Sequence, residues 1–234
     1  VLGCANMSAA RGRMLPEPDA AALLAEYGIA YPEHAYVHNA REAAEAAGQL
    51  GYPVVLKVVS PEAIHKSDVG GVVLNVHDAS SVLQAYEAIV RSVRTHKADA
   101  EVPGMLVCRQ APPGLEVIVG GLQDAIFGPA LMFGLGGIFA EVLEDVTFRI
   151  APIGPGDAKE MIQEIRGYPL LAGTRGQVGY DVEALADLLL AVSRMMAERA
   201  EIQELDLNPV RVYEQGLLAL DARILLAADQ QGVQ

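Results

Sequence analysis

The chain has little that would staple it, anchor it in a membrane or attach it to nucleic acid. Its two cysteines, Cys4 and Cys108, stand far apart with no C-x-x-C spacing, which argues against a disulfide framework and against a zinc site. Lysine and arginine number 17 against 30 acidic residues, a net charge of -13. Nucleic acid needs a dominant basic face, so the balance argues against that class of partner, whereas a polyphosphate pocket needs only a few local donors. No apolar run reaches the length of a membrane span: residues 184–192 and 217–228 are each interrupted by charge. The first residues, VLGCANMSAARGRM, lack the apolar core of a signal peptide. Residues 1–15 are expected as a tail, and the protein as cytoplasmic.

With 234 residues, half of them hydrophobic, the chain can bury a core as one large domain or two intimate lobes. Pattern and punctuation predict helices over 18–28, closed by Gly28, and over 40–50, opened by the capping-box spacing Asn39–Glu42. A longer helix starts at Asp78 and runs to about Lys97, with Val82, Ala85, Tyr86, Ile89, Val90 and Val93 along one face. Further helices are expected over 155–165 and 181–200. Strands are expected over 54–59, 72–76, 104–110, 115–119, 129–133, 141–153, 202–213 and 217–224, the last two as a hairpin turning on Glu214-Gln215-Gly216. Strands and helices mix without regular βαβ alternation, which favours an α+β, two-lobed architecture. The division expected is 16–110, with a small nucleotide-binding lobe, and 111–234, with a metal-binding hairpin.

The most informative stretch is GYPVVLKVVSPEAIHKSDVGGVVLNV, residues 51–76. Lys57 lies inside an apolar strand, and a lone ammonium there is costly unless an anion meets it. A bound polyphosphate is the economical explanation: Lys57 on the α- and β-phosphates, backbone N–H groups near Gly70 and Gly71 on phosphate oxygens, Lys66 toward a terminal phosphate. The competing reading is a lysine snorkelling to the rim above a solvated loop. His65, beside Lys66, is a candidate phosphoryl carrier because neutral imidazole is nucleophilic near pH 7, although most loop histidines are simply solvated.

At the C-terminus, ELDLNP (204–209) and ALD (219–221) suggest oxygen ligands for Mg²⁺. A hairpin turning on Glu214-Gln215 sets Asn208 opposite Asp221, with Asp206 on the same face as Asn208; a bulge at Gly216 would break that register. A carboxylate-rich exposed hairpin is the bland alternative. Between strands, Cys108, Arg109, Gln110 and Ala111 are placed to run past an adenine edge, with Glu116 accepting from ribose hydroxyls. The glycines of FGLGG (133–137) permit close backbone approach, yet the pattern departs from G-x-G-x-x-G and a Rossmann site is not expected. Arg149 and Arg175 are weaker anion-binding candidates.

Five stretches, GYPVVLKVVSPEAIHKSDVGGV, GLEVIVGG, FGLGGIFAEVLEDVTFRIAPI, AGTRGQ and ELDLNPV with ALDAR, resemble in order and spacing the ATP-grasp β subunit of ADP-forming acyl-CoA synthetases, related to succinyl-CoA synthetase. The resemblance runs from about residue 16 to the end. It implies an ATP-grasp fold, ATP/ADP and Mg²⁺ as cofactors, and the reaction acyl-CoA + ADP + phosphate ⇌ carboxylate + ATP + CoA. It also implies a CoA-binding α partner carrying a phosphohistidine, in a heteromer such as α2β2. Carried over, Lys57 is the phosphate-contacting lysine, Glu116 the ribose-side glutamate, and Asn208 and Asp221 the Mg²⁺ ligands. Asp206 would orient the incoming phosphohistidine, and His65 would be a second carrier on a mobile loop. Two departures stand out: SPEAIHKSD replaces the more glycine-rich loop of succinyl-CoA synthetases, and Cys108 stands where an acidic residue is common. A stand-alone carboxylate–amine or carboxylate–thiol ligase and a non-catalytic nucleotide-sensing subunit are the alternatives. The first lacks convergent arginines for an acid pocket, and the second is disfavoured by intact Lys57, Asn208 and Asp221.

Overall fold

The computed structural model describes residues 12–60, 66–136, 145–173 and 178–228. The backbone forms two compact units: Pro32–Pro112, and the described residues on either side of it, 12–31 and 113–228. The second unit therefore takes described residues from both sides of the smaller one. Residues 16–31, expected with the first lobe, belong to the C-terminal one. Arg13–Met14, expected as tail, form a short strand, β1, and Glu17–Glu26 form helix α1. Gly28, at φ +74°, follows this helix as the pattern predicts.

The smaller unit holds β2 (His34–Val37), α2 (Ala40–Leu50), β3 (Val54–Val59), β4 (Val72–Val76), α3 (Ala79–His96) and β5 (Gly104–Arg109). Its sheet runs β2-β5-β3-β4, antiparallel throughout. The Asn39 side chain accepts from the Glu42 N–H at 2.9 Å, while the Glu42 carboxylate accepts from the His38 N–H at 2.8 Å. The reciprocal half of the capping box thus falls one residue early. Asp78 caps α3 through the Ser81 N–H at 2.8 Å, and Val82, Ala85, Ile89 and Val93 form its buried stripe. Against these helices pack Val54, Leu56 and Val58 of β3 and Met105 and Val107 of β5. Strand β2 went unforeseen because four residues led by histidine carry too short an alternation to read.

The larger unit adds β6 (Leu115–Asp124), β7 (Gly128–Leu135), β8 (Val146–Ile150), α4 (Pro155–Glu164), α5 (Tyr168–Ala172), α6 (Val182–Glu198), β9 (Ile202–Val212), β10 (Leu217–Ala219) and β11 (Ala222–Leu226). Its antiparallel sheet runs β1-β11-β9-β6-β7-β8, with β10 also on β9. Strands β5 and β6, read as neighbours around Ala-Pro-Pro-Gly, do not pair; they lie in different sheets. Leu185, Leu188, Leu189, Val192, Met195 and Met196 recur at helical spacing on α6 and bury against Val117, Val119, Leu131, Phe133, Leu205 and Leu207. The helices thus cover one face of the sheet and leave the alternate residues to the other. Among the described residues no helix is long and apolar enough to cross a membrane.

Asp181 ties two of these parts together. Its carboxylate accepts from the Ala184 N–H at 2.9 Å, capping α6, and from the Gly216 N–H at 2.7 Å, in the turn between β9 and β10. The Gly216 bond first, then the Ala184 bond, holds this carboxyl below its ordinary range. A depressed folded pKa stabilises fully above the unfolded value and is lost as pH falls through the folded one. Asp181→Ala should cost about 1–2 kcal/mol at pH 7 in denaturant unfolding, and the gap to the parent should close below about pH 4.

Candidate active-site residues in the two units

In the smaller unit, Lys57 lies mid-strand, paired with Leu106 on one side and Val72 on the other, and is only 8% exposed. It shares the helix-free face with Val55, Val59, Leu106 and Cys108, as strand alternation requires. An ammonium so shielded stays charged only if negative or accepting groups meet its tip. Residues 66–71, the described end of the following loop, fold on themselves: the Gly71 N–H donates to the Lys66 carbonyl at 2.6 Å and the Gly70 N–H to that of Ser67 at 3.2 Å. These two amides, expected on phosphate, are committed inside the loop. Both glycines have other reasons: Gly70 sits at φ +63°, and a Cβ on Gly71 would lie 2.5 Å from Val58 Cγ1. Lys66 is half-buried at the loop's start. His65 and Arg175 lie outside the described residues.

The proposed adenine-side segment is likewise held by its own sheet. Cys108 is buried and laddered on both sides, to His34 and to Val55. The N–H groups of Arg109 and Gln110 donate to the Glu33 and Pro53 carbonyls at 2.8 and 3.0 Å, so neither is presented to a base. The Gln110 side chain meets Asn75 twice, accepting from its N–H and donating to its side-chain oxygen, both at 2.7 Å. Ala111 follows, where the chain leaves this unit.

In the larger unit the open face of the sheet carries the other candidates. Strand β10 pairs Ala219 with Val210, and β11 pairs Ala222 with Leu207 and Arg223 with Asp206. One register thus runs through both, and Asn208 falls opposite Asp221 between them. Gly216 has a positive φ without shifting that register. The irregularity lies instead between β9 and β6, where Val117 pairs Val210 but Val119 pairs Leu207. That bulge gives β9 an extra residue at 208–209 and leaves Asn208 exposed. Asp221 sits in the break between β10 and β11. Tyr31 braces that break, its hydroxyl bonding the buried Glu17 carboxylate and lying 3.2 Å from the Leu220 carbonyl.

Asp206 is flanked by Gly120 on β6 and Arg223 on β11. Burial pushes its carboxyl up from the ordinary range, the Arg223 charge pulls it down, and Asp221 and Glu204 push it up further. Glu116 is paired with Arg211 across the β6–β9 ladder, Nη2 to Oε1 at 2.5 Å, and the Gly136 N–H donates to its carbonyl at 2.8 Å. Arg149 turns to the helices instead, its guanidinium gripping Glu164 at 2.5 and 2.9 Å, so it tethers α4 to β8. Among the described residues no three His, Cys, Asp or Glu side chains cluster to hold a metal. Asn208 and Asp221 offer one amide and one carboxylate oxygen, the hard donors that suit Mg²⁺, which keeps several waters and takes its remaining ligands from phosphates. Sequence reasoning passed over Arg211 and Arg223, though their alternation with core residues was the signal that puts them on this face.

A model of the ATP-grasp domain matches residues 6–226, and the two units with these polar residues define a member of that nucleotide-binding class. The β subunit of ADP-forming acetate–CoA ligase I from Pyrococcus furiosus is 48% identical over 93% of this chain and 94% of its own. ADP-forming acetate–CoA ligase I of Archaeoglobus fulgidus is 45% identical over 88% of this chain, which matches only 30% of that longer polypeptide. Dinucleotide-forming acetyl-coenzyme A synthetase 1 of Candidatus Korarchaeum cryptofilum, solved with coenzyme A and calcium-AMPCP, superposes with a TM-score of 0.89 at 44% identity, covering 92% and 93% of the two chains. A second structure of it holds magnesium-AMPPCP, with a phosphohistidine segment pointing toward the nucleotide site (TM-score 0.79, 43% identity, 91% and 92% covered). The chain belongs to the β subunits of ADP-forming acyl-CoA synthetases, which are acid–thiol ligases.

Gly136 gives a local test of the Glu116 position. A Cβ there would lie 3.0 Å from the Glu116 carbonyl carbon and 3.1 Å from its Cβ. Gly136→Ala should cost about 1–3 kcal/mol in unfolding experiments, because the strand carrying Glu116 must shift.

Proposed function

We propose that this chain binds ADP or ATP through Lys57 and Glu116, holds Mg²⁺ through Asn208 and Asp221, and exchanges a phosphoryl group with a histidine of a CoA-binding α partner. The observation that supports this most is the β9 register, which aligns Asn208, Asp221 and Asp206 on one sheet face. Lys57 supplies fixed positive charge for phosphate from a strand too stiff to withdraw it. Glu116, steadied by Arg211, presents a carboxylate of the kind that accepts ribose hydroxyls. Asp206 is aimed at the imidazole of the phosphohistidine, to hold its ring N–H while phosphorus moves. His65 serves as the second carrier between distant sites. Asn208 and Asp221 would hold Mg²⁺, which would supply charge neutralisation for the phosphates. Catalysis of this kind rests on positioning and charge neutralisation rather than on covalent chemistry by the chain's acids. The α partner, separate or fused, supplies the CoA and acyl sites, in a heteromer such as α2β2.

Lys57→Met keeps the apolar contacts of the strand and removes the charge. It should lower affinity for Mg-ADP at least about tenfold. Unaltered ADP affinity in calorimetry would remove Lys57 from the site. Asp221→Asn should weaken the Mg²⁺ dependence of nucleotide binding, and His65→Ala should abolish transferable label from γ-labelled ATP in the presence of the α partner.

A further inference from the structure

We infer that Arg223 is a phosphoryl-contacting residue, receiving the dianionic group as it passes between the partner's histidine and the nucleotide; this rests on the function proposed above. Ala222 and Ile224 on either side of it belong to the core, so Arg223 projects from the open face, directly across the ladder from Asp206 and two residues beyond Asp221. On the other flank of Asp206 stands Gly120, with no side chain. Beside Asp206 thus stand one guanidinium and, over Gly120, the Met132 side chain, whose Cε lies 3.3 Å from where a Gly120 Cβ would be.

Five other arginines among the described residues are occupied. Arg41, Arg109, Arg149, Arg199 and Arg211 each hold a carboxylate in an ion pair. The Arg223 Nε–H is shielded from solvent and has no hydrogen-bond partner among the described residues. Leaving a guanidinium donor shielded and unmatched is costly unless an acceptor comes to it. The acceptor that suits a planar fork is a phosphate or carboxylate. Asp206, Asp221 and Glu204 together would repel a dianion, and Arg223 is the cation that acts on Asp206 from within this ladder. Asp206 then faces the imidazole and Arg223 the phosphoryl oxygens. In the transfer, a β-phosphate oxygen of ADP forms the new bond to phosphorus as the phosphorus–nitrogen bond breaks. The imidazole leaves neutral, keeping the proton on its other ring nitrogen.

The test uses the full chain with its α partner and compares Arg223→Gln, Arg223→Lys and the parent. Readouts are single-turnover transfer from labelled phosphohistidine to ADP, Mg-ADP affinity by calorimetry, and melting temperature. Arg223→Gln should slow transfer about 100-fold with ADP affinity within about twofold and melting unchanged. Arg223→Lys, a point charge without the fork, should recover part of that loss and remain about tenfold slow. Transfer at the parental rate in either variant overturns the inference. So does a loss of transfer that merely tracks a fall in melting temperature and ADP affinity. Lys57→Met, run alongside, separates the two levels: if it leaves ADP binding and transfer intact the proposed function fails, whereas intact transfer confined to the Arg223 variants overturns only the phosphoryl contact by Arg223.

Discussion

The register of β9 against its neighbours is the constraint on which the larger unit depends. This strand pairs with β6, β10 and β11, and its alternation sends Leu205, Leu207, Val210 and Val212 into the core and Asp206 and Arg211 to the open face. A slip of one residue would invert that assignment, exposing several large apolar side chains at about 2 kcal/mol each and burying a carboxylate. Core packing therefore fixes the polar residues without contacting them. The bulge at 208–209 lets Val210 return to the core three residues after Leu207 and leaves Asn208 on the face of Asp206, and a second irregularity falls opposite Leu225 and Leu226 of β11.

The smaller unit solves a related problem with the opposite charge. Strand β3 is buried along its whole length, and only the helix-free face can hold a functional side chain. Lys57 occupies that face among valines and a leucine. Rigidity follows from its setting: the strand is central and laddered on both sides, and residues 66–71 are braced by their own amides.

These arrangements matter because the chain carries a net charge of -13 and a nucleotide phosphate tail is itself strongly anionic. Long-range attraction is absent, so binding must come from a few cations at short range, where a low-dielectric setting strengthens each one. Lys57 and Arg223 fit that description. Arg149 and Arg211 are each paired with a carboxylate.

Much of the architecture was legible from periodicity and caps. Asn39 and Asp78 marked helix starts, Gly28 a helix end, and the stripes of α3 and α6 their buried faces. The β9–β10–β11 hairpin could be registered by counting outward from Glu214-Gln215, because an antiparallel ladder is a fixed arithmetic once its turn is known. Short or interrupted elements were not legible: β2, α5 and the break at Leu220-Asp221 carry too few residues to show a period. The affiliation of α1 with the C-terminal unit was equally hidden, since nothing local records which sheet a helix will cover.

By itself, then, the sequence determined element identity, strand alternation and the residue types able to meet phosphate and magnesium, because these depend on near neighbours along the chain. Only the tertiary structure decided which donors were already spent. The amides of Gly70, Gly71, Arg109 and Gln110 found partners within their own unit, Arg149 found Glu164, and Arg223 was left facing Asp206 with its Nε–H unmatched. Hydrogen-bond satisfaction is a property of what folding brings together, and no spacing in a chain can state it in advance.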